Sequence, residues 1–260
     1  MHNITTGFAR HPQSGLLEVR AFYGGNPGIY LLDSAVGWDV LNLSQHEVAL
    51  ADEVAWHPVE VEGEEVDART LEAKPFRIGQ FDHVPDTVLA LELPYTSSHG
   101  DPIHGMLGHP LFRETPIGID WRTNSLTLGG SPPALEAIAE LPLEVLDDRA
   151  LVTLDWGGDA PLQLRLETAA TMTMVLFEPG LALDEVLSSE EREARPADST
   201  ASFQFNLRRG RIGGFPVQDL AVRYEPQAKS PVQGLLGLGF LTHYRLWIDY
   251  PGERLTLYAR

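Results

Sequence analysis

Two short segments carry the residue types from which acid–base chemistry could be built. Leu31-Leu32-Asp33-Ser34-Ala35 sets a carboxylate and a hydroxyl on a sharp turn after an apolar strand. Leu164-Arg165-Leu166-Glu167-Thr168-Ala169 offers the same sequence of types, acid then hydroxyl then small residue, in the second half of the chain. Two carboxylates brought within about 3 Å cannot both ionise easily, so they share a proton and titrate as a unit. One member can then accept a proton while the other donates one, and no metal or cofactor is required.

The chain contains a duplication that could bring such acids together. Gly105-Met106-Leu107-Gly108, Ile119-Asp120 and Leu126-Thr127-Leu128 recur as Gly234-Leu235-Leu236-Gly237, Ile248-Asp249 and Leu255-Thr256-Leu257, each 129 residues on. Three motifs at one fixed offset indicate two copies of one structural unit. Each copy opens on a hairpin, Leu16–Tyr23 with Ile29–Leu32 in the first and Leu151–Trp156 with Leu162–Leu166 in the second. Further on, Phe76–Gln80 followed by Val88–Leu93 is echoed by Arg211–Gly214 followed by Leu220–Tyr224. The expected fold class is all-β with a few short helices: an N-terminal lobe over 1–128, a linker over 129–144 and a C-terminal lobe over 145–260. Helical spacing of Leu135, Ile138, Ala139 and Leu141 predicts a helix over Pro132–Leu141, and Leu183–Ala194 is a second candidate.

The order of these features resembles the retropepsin-like and pepsin-like aspartic proteases. Each lobe of that superfamily carries an Asp-Thr/Ser-Gly turn after an apolar strand and a later apolar-apolar-Gly motif that wraps the turn. The matching residues are Asp33-Ser34-Ala35 with Met106-Leu107-Gly108, and Glu167-Thr168-Ala169 with Leu235-Leu236-Gly237. The resemblance covers about Leu16 to Leu257. It implies a bilobal acid-protease-like fold, catalytic roles for Asp33 and Glu167, and peptide-bond hydrolysis by a water activated between them. Ser34 and Thr168 would hold the two turns together, with Ala35 and Ala169 supporting them. A peptide or protein substrate would lie extended in the inter-lobe cleft. The hairpin around Val59–Val66, with Trp56 and His57 at its base, is the candidate flap. The chain departs from the motif at Ala35 and Ala169, which replace glycines, and at Glu167, which replaces an aspartate. A pseudoprotease that binds peptides or serves as a scaffold is therefore the alternative, and pairing of two Asp33 turns from separate chains is a third reading.

Composition excludes several other classes. The net charge of −18 opposes nucleic-acid and anionic-membrane partners. The chain has no cysteine, which removes disulfides, thiolate metal sites and a cysteine nucleophile. His99, Asp101, His104 and His109 offer ligand types without a one-face spacing, so no metal is expected. Residues 1–15 are polar and no run of 18 apolar residues occurs, so a cytoplasmic monomer is expected. Asp120 and Asp249 read as turn caps despite their repetition.

Overall fold

The structure, a computed structural model, describes residues 3–11, 15–46, 56–61, 64–146, 149–177, 181, 183, 187–194, 196, 198, 201–226, 230 and 232–260. It is mostly β, with two sheets and three short helices among those residues. The first lobe contains β1 (Ile4–Arg10), β2 (Leu17–Tyr23), β3 (Asn26–Leu32), β4 (Asp39–Asn42), β5 (Trp56–Val61) and β6 (Glu64–Leu71). It continues through β7 (Phe76–Ile78), β8 (Phe81–His83), β9 (Val88–Leu91), β10 (Gly105–Leu107), α1 (His109–Glu114), β11 (Ile117–Asp120) and β12 (Ser125–Leu128). The second lobe contains β13 (Ala137–Pro142), β14 (Glu144–Leu146), β15 (Arg149–Asp155), β16 (Leu162–Leu166), β17 (Met174–Leu176) and α2 (Ser189–Ala194). It ends with β18 (Phe203–Leu207), β19 (Gly210–Ile212), β20 (Phe215–Val217), β21 (Leu220–Tyr224), β22 (Gly234–Leu236), α3 (Leu238–Leu241), β23 (Arg245–Asp249) and β24 (Arg254–Tyr258).

The duplication is visible as one topology drawn twice. In the first lobe β10 threads between two strands, parallel to β3 and antiparallel to β4. In the second lobe β22 does the same between β16 and β17. A glycine then ends each threaded strand: a side chain at Gly108 would strike the carbonyls of Trp38 and Val36, and one at Gly237 those of Met172 and Ala170. The close approach of backbone to backbone is what requires glycine at both places.

The lobes are joined by a sheet with pseudo-two-fold symmetry. Its order is β13-β24-β23-β11-β12-β1, and the axis passes between β11 and β23. Ile117 pairs with Ile248, Gly118 with Trp247 and Ile119 with Leu246, so equivalent residues exchange partners across the axis. The Trp247 ring lies over Gly118, where the small residue leaves room for it. One continuous apolar core runs beneath, taking Leu17, Leu32 and Phe112 from the first lobe and Leu164, Leu236 and Leu257 from the second.

One helix expectation is corrected. Pro132–Leu141 is not helical: Ala137–Pro142 forms β13, an edge strand antiparallel to β24. Ala139 and Leu141 point toward the core, while Leu135 and Ile138 are half exposed. Prolines at 132 and 133 and the free edge of β24 favour ladder bonds over a helical turn. In the second candidate, Leu183–Ala194, the described residues form a helix over Ser189–Ala194, and residues 184–186 lie outside the described residues. The hairpin expected around Val59–Val66 is β5 with β6, antiparallel in register Val59↔Val66; its tip, 62–63, lies outside the described residues.

Candidate active site

β3 and β16 run in equivalent places into the two acid turns, and the threaded strands hold the first residue of each. The Asp33 N–H donates to the Leu107 carbonyl and the Glu167 N–H to the Leu236 carbonyl, both at 3.0 Å. The next residue in each turn crosses to the other lobe. Ser34 N–H donates to Thr168 Oγ1 at 3.0 Å, and Thr168 N–H donates to Ser34 Oγ at 3.0 Å. Each hydroxyl then donates onward into the opposite lobe, Ser34 Oγ to the Leu166 carbonyl at 3.0 Å and Thr168 Oγ1 to the Leu32 carbonyl at 3.1 Å. Both side chains are fully buried, so these four bonds form away from water, where an unpaired partner is costly.

The lattice places Asp33 and Glu167 one residue before its two hydroxyls, at the same interface. Asp33 is buried, and its Oδ1 accepts from the Ala35 N–H at 2.9 Å. Burial and then the nearby Glu167 charge push the Asp33 carboxyl up to about 7; the Ala35 bond and the Arg165 charge act in the opposite direction. Glu167 carries an ion pair: Arg165 Nη2 donates to its Oε2 at 2.9 Å. Tyr250, buried, donates its hydroxyl to the Ser34 carbonyl at 3.5 Å, and burial raises its phenol above the usual range. At this interface Asp33 is therefore a carboxyl that holds its proton more tightly than usual.

Ala35 and Ala169 need no glycine. Among the described residues the non-glycine positions with positive φ are Asn124, Asp219 and Glu253, so both alanines carry their Cβ without left-handed strain. Asp120 and Asp249 are turn caps: Asp120 Oδ1 accepts from the N–H groups of Arg122 and Thr123 at 3.0 and 3.3 Å, and Asp249 Oδ1 from Gly252 at 2.9 Å. The histidines are dispersed. His104 Nδ1 accepts from the Ile29 N–H at 3.2 Å, His99 is near the surface beside Ser98, and His109 is buried against the Tyr250 ring. Among the described residues no group of three or more His, Asp or Glu could hold a metal ion.

Three contributors lie outside the acid turns. Arg165 is two residues before Glu167 on the same strand face, a relation that period-two reading of β16 could have revealed. Tyr250 reaches the first-lobe turn from beyond β23, and nothing in its local sequence points there. Asp39, fully buried, accepts from the Gly108 N–H at 2.8 Å and pairs with His83 Nε2 at 2.6 Å, stiffening the threaded strand behind Asp33. Comparison with protein-family models and with curated proteins finds no match to this chain.

Proposed function

We propose that the chain is an aspartic-peptidase-like hydrolase, a single-chain duplicated relative of the retropepsin-like and pepsin-like enzymes. It cleaves peptide bonds with a water activated between Asp33 and Glu167. The observation that carries this reading is the reciprocal lattice of Ser34 and Thr168, which joins an acid turn from each lobe at one buried interface. Raised proton affinity at Asp33, caused in part by Glu167, supports it.

In this mechanism Glu167 takes a proton from the water as the water oxygen bonds to the peptide carbonyl carbon. Asp33 gives its proton to the carbonyl oxygen, and a neutral gem-diol results. Glu167 then passes its proton to the amide nitrogen, and the C–N bond breaks with its electron pair leaving on nitrogen. A diol hydroxyl returns a proton to Asp33, so acid, amine and the starting protonation states are recovered. An extended peptide in the cleft, with the β5–β6 hairpin as its cover, is the substrate geometry, and one chain supplies both acids.

The test is cleavage of an unfolded protein substrate from pH 3 to 8, with Asp33→Asn and Glu167→Gln in parallel. Because Asp33 must be protonated to donate, turnover should fall as pH rises through about 7. Each variant should lose at least about a hundredfold, the scale of a general acid or base. Undiminished turnover in Asp33→Asn would sink the reading. A second reading, a peptide-binding pseudoprotease, is favoured by the Arg165–Glu167 ion pair, which ties up one oxygen of the base. It predicts saturable peptide binding with no cleavage at any of these pH values.

A further inference from the structure

Arg165 is an unexpected residue for its place in the scaffold. Sheet register makes it the counterpart of Leu31: Leu31 pairs with Met106 as Arg165 pairs with Leu235. The duplicated backbone thus accepts leucine here, yet the second lobe carries a guanidinium that is 23% exposed. Its Nε is buried without a hydrogen-bond partner. Holding a cation in such a place is costly unless the charge is used.

The acid pair has a use for it. Two carboxylates at one interface otherwise distribute a shared proton between them, and neither has a fixed role. Glu167 also has one more torsion than an aspartate, which must be ordered before it can act. A guanidinium on Oε2 orders the arm, leaving Oε1 to accept from water.

We propose that Arg165 is a positioning residue that divides the labour of the pair, holding Glu167 as the ionised base and leaving Asp33 to carry the proton. Its catalytic meaning rests on the peptidase reading, whereas the proton assignment is a property of the resting protein. The charged and titratable groups facing Asp33 are Glu167 and Arg165 from the second-lobe turn and its strand, and Tyr250 from beyond β23. His109 on α1 lies behind Tyr250, 5.5 Å from its ring, and burial keeps the phenol neutral across the working range.

The experiment is a carboxyl-carbon NMR titration of Asp33 in the intact protein, its resonance assigned by its loss in Asp33→Asn. In the unaltered chain Asp33 should titrate in one full step near 7. In Arg165→Leu, which borrows the first-lobe residue, and in Arg165→Gln the proton should be shared by the pair, so the Asp33 resonance should move in two partial steps. Arg165→Lys should keep the single step. One full step at Asp33 in the folded Leu and Gln variants overturns the proposal. Peptide cleavage by the unaltered protein is scored separately. Cleavage with the single step retained removes the role of Arg165 and leaves the peptidase. A split titration without cleavage leaves the proton assignment and removes the peptidase.

Discussion

The two lobes share a backbone and differ in what they place on it. In the first, Leu31, Met106, Val40 and Leu89 stand side by side across β3, β10, β4 and β9. All four are buried, under Val66 and Ala68 of β6 and under Leu93, Tyr95 and Ile103. The cover is tied down by Glu18, itself buried, whose carboxylate accepts from the N–H and hydroxyl of Ser98 at 2.6 and 2.7 Å. The matching row of the second lobe is Arg165, Leu235, Val175 and Arg223. Here each arginine pairs with a glutamate two residues on, Glu167 or Glu225. Duplication preserved the ladder; one copy became a roofed apolar face and the other a polar one. The acid in the apolar lobe is the one whose proton affinity rises, as desolvation requires.

The contrast reverses deeper in. Asp39 and His83 form a fully buried hydrogen-bonded pair in the first lobe. Register puts Met174 at the place of Asp39 and Val217 at the place of His83. The second lobe therefore solves the same packing problem without charge, and its Gly237 N–H finds the Thr173 carbonyl instead of a carboxylate. Asp39→Ala should cost about 3–5 kcal/mol in urea unfolding, because it leaves His83 and the Gly108 N–H without their partner. The double replacement Asp39→Met with His83→Val should recover part of that loss. About 1–3 kcal/mol should remain, since the Gly108 amide still lacks an acceptor. A cost below about 1 kcal/mol for Asp39→Ala would mean that the hydrogen-bonded pair contributes no more than the apolar pair.

Where the lobes meet, the symmetry is close to complete, and this sharpens the comparison. Ser34→Ala and Thr168→Ala each strip one hydroxyl that both accepts and donates across the interface. Each should destabilise by about 1–3 kcal/mol, with the two values similar. The double variant should fall short of their sum by about 1 kcal/mol or more, because the groups belong to one network. Additive losses, read from unfolding midpoints and slopes, would show two independent turns rather than one lattice.

Much of this was legible in the sequence because it depends on short contiguous patterns. The acid-hydroxyl turns follow apolar strands, and the recurrence of Gly105–Gly108 as Gly234–Gly237 marks the threaded strands that hold them. The Asp39–His83 pair was not legible: its members are 44 residues apart, and their counterparts are apolar, so the repeat conceals them. Tyr250 was hidden for a related reason, since its partner Ser34 lies 216 residues away. Ala35 and Ala169 depart from the motif's glycines, and only their backbone angles, not their types, show that no positive φ is needed there. Pro132–Leu141 was misread because Ala139 and Leu141 satisfy a strand face as well as a helical one, and only the edge of β24 decides between them.

That last segment offers the smallest effect and a direct distinction. β13 is the second lobe's answer to β1: both flank the shared sheet, β1 on β12 and β13 on β24. Ile138 lies at the irregularity between Ala137 and Ala139 and is 47% exposed, so little burial is at stake. What remains is local preference, which for a strand favours β-branched residues and for a helix favours alanine. Ile138→Thr should then change stability by no more than about 0.5 kcal/mol, and Ile138→Ala should be the worse of the two by a few tenths. The reverse order would imply that the segment gains from helical propensity. The six-strand sheet would then lose its outer strand on the second-lobe side, and the symmetry between β1 and β13 would fail with it.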